Sequence, residues 1–130
     1  MTFNQLLRLT TLAFVMIACR DSEREREILS RIVLPPAPAE HREGEVLFAA
    51  NCAACHGESG KGTDRGPPLL HIVYEPSHHS DAAFMLAVRN GVAAHHWRFG
   101  DMPPQPQVDS AALRKIVGYV RWAQREVGID

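Results

Sequence analysis

Asn51-Cys52-Ala53-Ala54-Cys55-His56-Gly57 places two thiols and an imidazole within five residues. Each of the three side chains is a good ligand or nucleophile. Their spacing asks what single object would hold them together, and the rest of the chain has to supply the answer.

Cys-x-x-Cys by itself fits three chemistries. A redox disulfide is expected after a β-strand in a βαβ setting. The residues before Cys52 are Gly44-Glu45-Val46-Leu47-Phe48-Ala49-Ala50-Asn51, which read as helix and not as strand. A zinc site needs four ligands in tetrahedral array. Cys52, Cys55 and His56 provide three, and His71, His78, His79, His95 or His96 could supply the fourth. The third chemistry is covalent haem attachment, for which Cys-x-x-Cys-His is the known pattern. Two thiols separated by two residues can reach the two vinyl groups on one porphyrin edge. The next residue, His56, can then turn its imidazole beneath the iron.

Haem iron needs a second axial group, and Arg98-Phe99-Gly100-Asp101-Met102-Pro103-Pro104 offers a soft thioether in Met102. Pro103 pushes Met102 away from helical backbone, and Pro104 stiffens the same stretch. Paired with histidine, a methionine sulfur raises the reduction potential of haem iron. Otherwise Met102 would be a gap-filling apolar residue. Met85 falls inside an expected helix, and Met1 and Met16 lie in the N-terminal segment. His95 and His96 are the rival ligands, with a lower potential as the consequence. Their bland reading, like that of His78 and His79, is surface histidine in a loop.

Three helices are expected around these residues. The first runs from about His41 to Asn51, the second from Asp81 to Asn90 with Gly91 as stop signal, and the third from about Ser110 to Val127. Asp109 or Ser110 can cap the third, and Gly128 follows its end. Leu113, Ile116, Val117, Val120, Ala123 and Val127 recur at three- and four-residue steps and form one apolar stripe. No convincing strand is found, so the fold class is all-α with long loops. A large flat cofactor would account for such loops in so small a domain.

The chain of 130 residues carries a formal net charge of −1, with 45% apolar and 22% charged residues, the composition of an ordinary globular domain. There is no basic excess to neutralise phosphates, so nucleic acid is not an expected partner. From residue 39 onward the net charge is −2, which gives no strong steering sign for any partner.

The N-terminus reads as an address and not as fold. Arg8 is followed by Leu9-Thr10-Thr11-Leu12-Ala13-Phe14-Val15-Met16-Ile17-Ala18, too short to span a bilayer at roughly 20 residues. Residues 1–18 are expected to be a signal peptide. Met16-Ile17-Ala18-Cys19 resembles a bacterial lipobox, with Met16 in place of the preferred Leu, so Cys19 is the expected lipidation site. Residues 19–39 are a charged and then proline-rich tether, and residues 40–130 form the functional domain.

On these residues the region from about Glu40 to Val127 resembles a class I cytochrome c. Gly44 and Phe48 before Cys52 match the family's first helix, where the glycine lets the first and last helices cross and the aromatic packs at the crossing. Ile116-Val117-Gly118-Tyr119-Val120 matches the last helix, Gly66-Pro67-Pro68-Leu69 the Gly-Pro-x-Leu loop, and Met102-Pro103 the distal ligand loop. Close helix contact is the expected reason for Gly118, a glycine in mid-helix. The resemblance implies three main helices and loops around one covalent haem c. It implies thioether bonds from Cys52 and Cys55, axial ligation by His56 and Met102, and a Pro67 carbonyl that orients His56. Trp97 and Arg98 could donate to haem propionates, or simply cover the haem edge and meet solvent. The implied function is one-electron transfer between redox proteins, with no catalysis of its own, in the periplasm or on its membrane face through the Cys19 lipid. The alternatives are a haem subunit or a sensor in which a small ligand displaces Met102.

Overall fold

Pro38 is the last extended residue before the first helix, because its ring fixes φ at −63° while its ψ of 162° keeps it outside the helix. The computed structural model describes residue 24 and residues 27–130. The expected signal peptide and Cys19 lie outside these residues. Two units form, Met1–Ile32 and Val33–Asp130. In the first, Glu27 and Arg31 make an exposed i,i+4 ion pair at 2.6 Å. Everything below concerns the second. There the proline-rich residues before Pro38 form neither helix nor strand, and Ala37 is buried.

Four helices follow: α1 (Ala39–Asn51), a single turn α2 (Ala53–His56), α3 (Asp81–Asn90) and α4 (Ser110–Glu126), with 3-10 turns at Glu58–Gly60 and Ile72–Tyr74. The fold is all-α. Among the described residues the only β-type pairing is an isolated antiparallel bridge between Val92 and Met102. The first helix starts two residues earlier than its sequence suggests, because the chain turns helical immediately after Pro38. It also breaks at Cys52, whose φ of −120° lies outside the helix, before the turn that carries His56. The last helix ends at Glu126, with Val127 as its C-cap. The side-chain oxygen of Ser80 caps α3 at the amide of Ala83. The Asp109 carboxylate caps α4 at the amides of Ala111 and Ala112, both 2.8 Å, and these two bonds hold its pKa below the usual carboxylate value.

The core sits where α1 crosses α4. Gly44 makes the crossing possible: a Cβ there would lie 2.2 Å from the carbonyl oxygen of Lys115. One turn along, Phe48 meets Tyr119 with ring centroids 5.6 Å apart, and both are 2% exposed. Trp122 stacks beside Tyr119 and against His41. Gly118 differs from expectation. A Cβ there would meet only His41, at an ordinary 3.8 Å, so no close helix contact demands a glycine.

α4 also anchors the loops through its polar residues. Arg121, only 7% exposed, donates from Nε to Asp81 at 2.7 Å and from Nη1 to the Tyr74 carbonyl at 2.9 Å and Gln124 Oε1 at 2.6 Å. It also donates from Nη2 to the His79 carbonyl and stands 4.7 Å over the Phe84 ring. Fully buried Gln124 donates to the carbonyls of Leu69 and Tyr74. These bonds tie the loop between α2 and α3, and α3 itself, to α4.

Candidate functional site

The helix break at Cys52 and the turn that follows bring Cys52 and His56 into the wall of one cavity of about 360 Å³. The apolar stripe of α4 forms its floor through Leu113, Ile116, Val117 and Val120. Phe48, Leu69 and Phe84 complete the apolar surround, and Met102 lies in the same wall.

The Nδ1–H of His56 donates to the carbonyl oxygen of Pro67 at 2.9 Å. A carbonyl only accepts, so this bond fixes the tautomer and leaves Nε2 with its lone pair. Burial lowers the His56 pKa, against a smaller opposing effect of the Pro67 bond, so the ring is held neutral and able to ligate. The loop carrying Pro67 is pinned to the Cys-x-x-Cys turn. Thr63 Oγ1 donates to the Cys55 carbonyl and Arg65 Nη2 to the Ala54 carbonyl. Gly66 passes so close that a Cβ would stand 2.8 Å from the Cys55 carbonyl oxygen.

Met102 is held by its backbone. Its N–H donates to the Val92 carbonyl and its carbonyl accepts from the Val92 N–H, both at 2.9 Å. Gly91, at φ 76°, packs against the Met102 carbonyl, where a Cβ would approach to 2.6 Å. The end of α3 thereby sets the position of the Met102 loop.

The two thiols differ. Cys52 is half-buried, and burial together with its neighbour Cys55 pushes its pKa up to about 11. Cys55 is exposed. Among the described residues, Cys52, Cys55 and His56 do not converge as a set of ion ligands. The zinc alternative therefore lacks a converged ligand set at this motif.

The cavity fits a haem on its own features. Its wall is apolar and offers one imidazole with a free nitrogen, one thioether and one thiol, a donor set suited to haem iron and porphyrin attachment. Trp97 also lines it, with its indole Nε1 buried. Burial raises the Tyr74 pKa, against a smaller opposing effect of a hydrogen bond from the Trp97 indole. Arg98, the other propionate candidate, is exposed and does not line the cavity. His95 and His96 line the cavity but are exposed, unlike half-buried Met102. Arg121 and Gln124, which fasten the loops of this wall, were not singled out from the sequence. They lie on a helix read by its apolar stripe, and their partners are distant loop carbonyls.

The cytochrome c family model matches residues 41–124. The cbb3-type cytochrome c oxidase subunit CcoP of Cereibacter sphaeroides is 35% identical over 83 residues, which is 60% of this chain and 26% of that protein. The chain thus spans about a quarter of the length of this relative. No solved structure matches. With the family's fold, the match across most of the chain and a cavity that fits its cofactor, the chain belongs to the cytochrome c family and is a c-type cytochrome with one covalently bound haem c.

Proposed function

We propose that this chain is a monohaem electron carrier working outside the cytoplasm. Cys52 and Cys55 form the thioether bonds, His56 ligates the iron on one side, and Met102 ligates it on the other. The observation that carries this reading is the convergence of Cys52, Met102 and the Pro67-oriented His56 on one apolar cavity.

The haem supplies the one-electron couple between ferric and ferrous iron. The residues of the chain determine how that couple behaves. His56 presents Nε2 because Pro67 occupies Nδ1, and a carbonyl partner makes the imidazole a stronger donor. Met102 contributes a soft sulfur, which raises the potential. His56 and Met102 would together hold the iron from the protein and would leave no place for oxygen or substrate. The apolar floor from α4 and the rings of Phe48 and Phe84 would exclude water from the haem.

The partners are redox proteins. The relative's name places a related sequence in an oxidase, which supports a position for this chain beside such an enzyme. Among the described residues no helix is long and apolar enough to cross a membrane. Attachment is assigned to a lipid on Cys19, after a signal peptide of residues 1–18, with residues 19–39 as tether and residues 40–130 as haem domain.

The test is an equilibrium redox titration of the haem-loaded protein with a carbon monoxide challenge of the reduced form. A carrier gives a reversible one-electron curve and a ferrous spectrum unchanged by carbon monoxide. Rapid formation of a carbon monoxide adduct would mean that Met102 yields its place, and would favour the sensor or enzyme-subunit alternative.

A further inference from the structure

Two loops on the rim of the cavity bring together histidines that electron transfer leaves unused. His78 and His79 follow the 3-10 turn Ile72–Tyr74, and His95 and His96 precede Trp97. One ring nitrogen from each of His78, His79 and His96 can be chosen so that all three lie within 4.8 Å of one another. We propose that His78, His79 and His96 form a binding site for a divalent first-row transition-metal ion, with Zn2+ as its simplest occupant.

The geometry is close to what such an ion needs. Tetrahedral zinc with zinc–nitrogen bonds of about 2.0–2.1 Å sets its ligand nitrogens about 3.3 Å apart. The Nε2 atoms of His78 and His96 are 3.3 Å apart. The widest separation closes by rotation of exposed rings, since His78 and His96 are both exposed. His79 is already oriented for ligation. Its Nδ1–H donates to the Val73 carbonyl at 2.7 Å, which leaves Nε2 bare. This is the arrangement that commonly orients a metal-bound imidazole.

The set holds imidazoles and no thiolate, which suits zinc, copper or nickel rather than magnesium or calcium. Three protein ligands leave a fourth position for water or a further group. His95 stands next to the site, its ring centroid 4.3 Å from that of His96, but its nitrogens fall outside the three-ligand set. A fixed cation, Arg121, donates to the His79 carbonyl. Its charge is shared with the Asp81 carboxylate at 2.7 Å.

Location gives the site a consequence. His79 and His96 also line the haem cavity, so a dication bound there places positive charge beside the haem. Positive charge disfavours the ferric state, so metal occupancy shifts the reduction potential upward. This assignment does not depend on which residue is the distal iron ligand, provided it is not His96.

The experiment is a Zn2+ titration of the full-length, haem-loaded protein by competition with a chromophoric chelator, repeated on His78→Ala and His96→Ala. Zinc-edge X-ray absorption is recorded on the one-equivalent complex. The expected result is one equivalent bound, with nitrogen scatterers at about 2.0–2.1 Å. Affinity should fall roughly tenfold or more in each variant, and the potential should rise with Zn2+ in the wild type but not in the variants. An unchanged haem spectrum in the variants reports an intact fold. Absence of stoichiometric binding, or equal affinity in both variants, would overturn the proposal. So would loss of the low-spin haem spectrum in His96→Ala, which would assign His96 to the iron.

Discussion

The imidazole of His56 is held at 2.9 Å by the carbonyl oxygen of Pro67, a residue of the loop that Thr63 and Arg65 pin to the Cys-x-x-Cys turn. The acceptor is a backbone atom, so no substitution at residue 67 deletes it. Substitution can only loosen it. Pro67→Ala frees φ in the unfolded chain and is expected to cost about 0.4–1 kcal/mol of stability. The less firmly oriented imidazole becomes a weaker donor, so the reduction potential rises. Thermal unfolding and redox titration of the variant check both effects.

The position of Met102 depends on Gly91. Gly91→Ala must place a Cβ 2.6 Å from the Met102 carbonyl at a backbone φ of 76°, which L side chains rarely adopt. The expected outcome is weakening of the Val92–Met102 bridge and partial loss of the far-red band of methionine-ligated ferric haem, while haem remains covalently attached. An unaltered band in Gly91→Ala would show that the end of α3 does not govern this loop.

Two glycines at the main helix pair should respond in opposite directions. Gly44→Ala drives a Cβ to 2.2 Å from the Lys115 carbonyl oxygen, a backbone atom that cannot step aside. The expected loss is about 3 kcal/mol, the upper part of the usual overpacking range. Gly118→Ala meets nothing closer than His41 at 3.8 Å. It should gain up to about 1 kcal/mol from helix propensity. Chemical denaturation of the two variants measures the contrast.

Arg121→Met removes the donor that serves Asp81, the carbonyls of Tyr74 and His79, and Gln124. Asp81 is largely exposed, so its ion pair contributes little. The part-buried carbonyls and the buried Gln124 amide carry the cost, about 2–4 kcal/mol. Because the same bonds fasten the loop before α3, hydrogen exchange in residues 69–79 should accelerate more than in α1. Uniform acceleration across the domain would contradict the local role given to Arg121.

Much of this arrangement is legible in the chain because it is local. Gly91 stops α3, Asp109, one of two expected caps, starts α4, and the apolar stripe of α4 is the cavity floor. The crossing roles of Gly44 and Phe48 were expected only through likeness to known cytochromes. The Pro67 carbonyl was expected only through likeness to known cytochromes, since a backbone acceptor leaves no mark in a sequence. The buried Arg121–Gln124 network was not legible, because its partners are carbonyls many residues away and two polar side chains on an amphipathic helix read as solvent-facing. Gly118 misleads for a related reason. A mid-helix glycine suggests close packing, and only the direction of its missing Cβ shows open space. The convergence of His78, His79 and His96 is likewise tertiary, two surface loops brought together by the fold.

The central claim is tested most directly by the visible spectrum of the protein, matured in a host that attaches haem c, in oxidised and reduced states and after acid-acetone extraction. The account predicts haem that stays with the protein, low-spin bands in both states, and a weak far-red band in the ferric form that Met102→Ala abolishes. Haem that extracts freely would contradict thioether bonds from Cys52 and Cys55. Retained haem whose far-red band is absent, or survives Met102→Ala, would contradict Met102 as the iron's second ligand.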